Sequence, residues 1–78
     1  MLRLKLVENT SYKVVYNYFP ENKEKQGTVS LDKSNSEVLS VNIAENDVHD
    51  TYMHHAVSKV IKFIENNIFP EEEIVAWL

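Results

Sequence analysis

VHDTYMHHAVSKVIKFIENN, residues 48–67, is the stretch on which the fold turns. At 100° per residue Met53, Val57, Val60 and Ile64 fall within about 60° of one another, with Ala56, Ile61 and Phe63 beside them. Thr51, His55, Ser58, Lys59, Lys62, Glu65 and Asn66 occupy the opposite side. An apolar stripe of this kind is stable only when another element covers it, so the rest of the chain must supply a surface. Upstream, Glu45, Asn46 and Asp47 mark the helix start, because an Asn or Asp side chain can accept from the free amides of the first turn. Downstream, Asn66 and Asn67 suit a left-handed cap and Pro70 a stop. A helix of about 19 residues would be about 28 Å long and could lie across a four-stranded sheet.

The preceding residues read as that sheet. Leu2, Leu4 and Leu6 alternate with Arg3 and Lys5, the period of a strand with one buried face. ENTS at 8–11 is a turn, and the aromatic and β-branched run YKVVYNYF at 12–19 is a second strand, ended by Pro20. PENKEKQG is a solvated loop, after which Val29 and Leu31 face the core of a third strand. DKSNS at 32–36 turns the chain again, with Asn35 the residue best suited to a positive φ. Residues 37–44 form a fourth strand with Leu39, Val41 and Ile43 on one face and Ser40 and Asn42 on the other. After Pro70 the chain reads as a short helix or as a terminal strand over 74–78, and the Ile, Val and Trp content favours the strand. The expectation is one α+β domain over residues 1–78: an antiparallel four-stranded sheet of two hairpins, one long amphipathic helix on one face, and a short final strand, in the order ββββαβ.

With 78 residues and no cysteine the core alone must hold the fold unless a partner chain adds to it. The amino end lacks the continuous apolar run of a signal peptide, and no run approaches the length that crosses a bilayer, so a cytoplasmic location and no membrane partner are expected. Residues 1–33 hold six Lys or Arg against four Asp or Glu, whereas residues 34–78 hold two against eight. An acidic second half is poorly suited to neutralising phosphates, so no nucleic-acid partner is expected through the helix.

All three histidines sit in the opening stretch. His49 and His54 are five apart, not the four that would align two ligands on a helix face; Asp50 and His54 do have that spacing. His49, Asp50 and His54 are therefore the weak candidates for a metal or small ligand, needing a further donor such as Asp47 or Glu45. The ordinary reading of Asp50 with His54 is a surface pair. No cysteine nucleophile is present, the six serines lie outside any nucleophile-elbow pattern, and one glycine cannot build a phosphate loop. No catalytic residue and no cofactor are implied.

The second strand offers a different kind of site. Tyr12, Tyr16 and Tyr18 share a face with Val14, and Val15 and Phe19 share the other; one set faces the helix. Whichever remains outside, the tyrosines or Val15 and Phe19 with Val7 and Val38, leaves a partly apolar sheet face of interface type. Trp77, close to the carboxyl end, is expected to dock on the sheet or on a partner. The function expected is a non-enzymatic interaction module, with a protein partner or a homodimer, acting through these residues; metal or ligand binding at His49, Asp50 and His54 is the alternative.

Overall fold

The computed structural model describes residues 1–76. The chain runs through β1 (Leu2–Asn9), β2 (Lys13–Pro20), β3 (Gly27–Asp32), β4 (Val38–Asn42), α1 (Thr51–Asn66) and β5 (Glu72–Val75). It is an α+β fold of order ββββαβ, with every strand pair antiparallel and the spatial order β4-β3-β2-β1-β5. The first four strands form a meander, and the helix carries the chain back to the opposite edge, where β5 pairs with β1.

One face of the sheet carries the core. Leu2, Leu4, Val14, Tyr16, Tyr18, Val29 and Leu31 are fully buried and cluster with Ala56, Val60 and Phe63 of the helix. The open parity is thereby settled: Val14, Tyr16 and Tyr18 face α1. Their hydroxyls are satisfied inside the structure, Tyr16 donating to the Pro70 carbonyl at 2.6 Å and Tyr18 to Asp47 Oδ2 at 3.0 Å. Burial, aided by the charge of Glu73, pushes Tyr16 up to about 12; burial likewise takes Tyr18 to about 12, the Ala44 amide opposing and Asp47 reinforcing the rise. Gly27 makes the Tyr18 position possible. A Cβ there would run into the tyrosine ring and come within 2.6 Å of the Asn42 carbonyl oxygen.

The helix begins later than its sequence signals. Residues 45–50 form turns, and Asp50, left-handed at φ 59°, precedes the first helical residue without bonding a first-turn amide through its side chain. Asp47 performs that task from further back. Its carboxylate, 3% exposed, accepts from the Tyr52 amide at 3.1 Å and the Met53 amide at 2.9 Å, as well as from Tyr18. At the other end Asn67 adopts the expected left-handed conformation, φ 53°, with its amide and that of Ile68 bonded to the Ile64 and Phe63 carbonyls.

Two further expectations change. The positive φ of the β3–β4 turn falls at Ser36, not Asn35, because the Asn35 side chain instead accepts from the Glu37 amide at 3.0 Å. The pairing of β4 slips between Val38 and Ser40, which leaves Leu39 as an extra residue: Leu31 pairs with Val38 and Ser30 with Ser40. Val38 and Val41 therefore share the helix side of the sheet, and the simple alternation expected for this strand fails. The final strand starts at Glu72, earlier than the sequence suggested.

Candidate interaction edge

The sheet face away from the helix is less apolar than the sequence led us to expect. Phe19 lies on it but is only 8% exposed, because the Arg3 guanidinium stacks 4.1 Å above its ring while Arg3 Nε donates to Asn22 Oδ1 at 2.7 Å. Val15 is half-buried, paired between Glu8 and Ser30. Val7 is exposed at an irregularity of β1 and Val38 belongs to the other side of the sheet, so the four residues do not make one patch. Tyr16 and Tyr18, with no exposed surface, are unavailable to a partner; Tyr12 is exposed at the β1–β2 turn, away from them. Trp77 lies outside the described residues.

The histidines do not converge. His49 is exposed in the turn before the helix, and His54 is exposed on its first turn, where its amide bonds the Asp50 carbonyl. Among the described residues no three His, Cys, Asp or Glu side chains are grouped so as to hold a metal ion. His55, expected to point outward, is half-buried, because β5 runs alongside the helix and forms a groove with His55, Ser58, Lys59, Lys62, Val75 and Ala76. That groove continues into a shallow cleft of about 440 Å³ floored by Phe63, in which Lys59 sits 3.9 Å from Glu73.

The residues left without cover are those of β4. The helix packs chiefly across β3 and β2, and the strand beyond them is exposed at every position. Val38, Leu39, Val41 and Ile43 are 47%, 52%, 39% and 41% exposed. The segment 38–44, VLSVNIA, contains no charge and no proline. Because β4 pairs with β3 alone, the far side of its backbone has no strand partner among the described residues. A row of free amides and carbonyls flanked by apolar side chains is the arrangement that takes up another strand.

This edge is held in a fixed position. The Ala44 amide, just past β4, donates to the Tyr18 hydroxyl at 2.9 Å, and that hydroxyl donates to Asp47, which caps the helix. At the start of the strand the Asp32 amide bonds the Glu37 carbonyl at 2.8 Å, and Asp32 Oδ1 accepts from the Ser34 amide and hydroxyl. Sequence reasoning placed Leu39, Val41 and Ile43 on one face of the fourth strand and did not single out that strand as the exposed edge. The signal for it was an uncharged run of seven in the last strand of a meander, a place where a sheet ends unless the chain returns there.

No helix among the described residues is long and apolar enough to cross a membrane. Compared with models of known protein families, with curated proteins and with solved structures, the chain has no significant match.

Proposed function

We propose that the protein is an interaction module that works by strand addition, its β4 edge receiving an extended segment of another polypeptide. The observation that carries this reading is the exposure of three large aliphatic side chains on an edge strand free of charge, with Ile43 exposed just beyond it. Main-chain hydrogen bonds would supply affinity along the strand, and the exposed aliphatic side chains of β4 would supply selectivity for an apolar complement. Rigid anchoring of both strand ends lowers the ordering cost on the protein's side of such a contact.

An amide-resolved titration with a capped peptide of alternating valine and threonine flanked by lysines tests the reading. Amides within 38–44 should shift and exchange more slowly as peptide is added, and Leu39→Lys with Val41→Lys should abolish both effects while the helix signals stay in place. Shifts confined to the His55–Val75 groove, or none at all, would refute strand addition at β4.

A further inference from the structure

We infer that the strand received at β4 is the β4 of a second copy of this chain, added antiparallel about a two-fold axis normal to the sheet; this rests on the reading of β4 as an interaction edge. A two-fold contact requires only one self-complementary patch, and an antiparallel strand edge is self-complementary in its alternating donors and acceptors. The operation keeps both helices on the same face of a ten-stranded sheet. Neither obstructs the approach, because α1 lies over β3 and β2.

Charge favours this occupant and this direction. The chain carries a net −4, so copies repel one another over much of their surface, but residues 38–44 contribute nothing to that repulsion. The two ends of the edge differ in charge. Glu37 stands at one end; at the other Lys25 reaches from the β2–β3 loop to Glu45 at 2.7 Å, a pair without net charge. Antiparallel addition brings the Glu37 end of each copy to this neutral pair of the other, whereas parallel addition would set Glu37 beside Glu37.

Area sets the strength. The exposed fractions of Val38, Leu39, Val41 and Ile43 leave on the order of 300 Å² of surface per copy, comparable to the largest patch of an ordinary monomer. Two copies together with Ser40 and Asn42 approach about 1,000 Å², the lower limit for specific association. The dimer is therefore concentration-dependent, with dissociation in the micromolar range.

Sedimentation equilibrium over roughly 5 to 500 µM reads it directly. The mass should climb from the 9.1 kDa of one chain toward twice that value, and Leu39→Lys with Val41→Lys should hold it at 9.1 kDa with an unchanged circular dichroism spectrum. A wild-type mass fixed at 9.1 kDa, or a lysine variant that associates as well as the parent, overturns the second copy as occupant. If the valine–threonine peptide still binds a chain that stays monomeric, the second-copy inference falls and strand addition stands; if neither occurs, both fall.

Discussion

The two edges of the sheet are built differently. β5 is four residues long and follows Glu71; it carries Glu72, bridged to Arg3 at 3.7 Å, and Glu73, bridged to Lys59 at 3.9 Å. Its Val75 packs against the core beside the helix. β4 has no charge, no proline and no helix over it, and the extra residue Leu39 is its only irregularity. Natural sheets keep their edges from pairing by shortness, charge, bulges or cover. β5 uses the first two and part of the last; β4 uses a bulge alone. Of the two edges among the described residues, β4 is the less protected.

Both edges hang on the same centre, so the largest effect expected is there. Val60→Asp places a charge among fully buried side chains, at a cost of several kcal/mol, comparable to the stability of so small a domain. Thermal denaturation should find the variant unfolded or aggregated, and an unchanged midpoint would mean that the helix stripe is not the core.

The next effect separates the two sides. Asp47→Ala removes the acceptor of Tyr18, Tyr52 and Met53 and should cost about 2 to 4 kcal/mol, since buried donors are left without partners. Amide exchange should accelerate in residues 38–53 more than in β5. Equal acceleration at both edges would show that the Asp47 contacts do not hold β4 in particular.

A smaller contrast lies in the two buried tyrosines, one serving each side. Tyr18 anchors Ala44 and Asp47 next to β4, and Tyr16 anchors Pro70 on the approach to β5. Both hydroxyls ionise near 12 in the folded chain against about 10 when unfolded, so the folded state holds their protons more tightly. The stability this contributes is complete below about pH 10 and is lost as the pH rises toward about 12. Urea midpoints at about pH 8 and about pH 11 should differ, and Tyr18→Phe should reduce that difference. At neutral pH Tyr18→Phe should cost more than Tyr16→Phe, because it leaves the buried Ala44 amide without its acceptor, whereas Tyr16→Phe frees only a carbonyl.

The strand and helix order was legible because the alternation of Leu2, Leu4 and Leu6 and the stripe through Val60 are local signals. The two faces of β2 were not. Aromatic and aliphatic residues occur at both parities, and the choice depends on Arg3 reaching across to cover Phe19, a contact between different strands. Leu39 defeated the alternation of β4, since a single extra residue reverses the side on which those before it fall. His55 was misplaced because a helical wheel contains no β5. The Asp47 cap was half legible: the residue type signalled it, but its bonds to Tyr52 and Met53 span a turn whose left-handed Asp50 has no sequence signature of its own.

The smallest expected effect is the most discriminating. Leu39→Lys should alter thermal stability by no more than about 0.5 kcal/mol, because the side chain is already half in solvent. A loss above about 1.5 kcal/mol would show that Leu39 packs within one chain instead of waiting for another.

The central claim, that β4 and not β5 is the edge that takes up another strand, is tested most directly by amide hydrogen exchange of the two strands measured at low and at high protein concentration. Exchange within 38–44 should slow as concentration rises, while the amides of Glu72–Val75 keep their rates. Slowing at β5 with β4 unchanged would contradict the account.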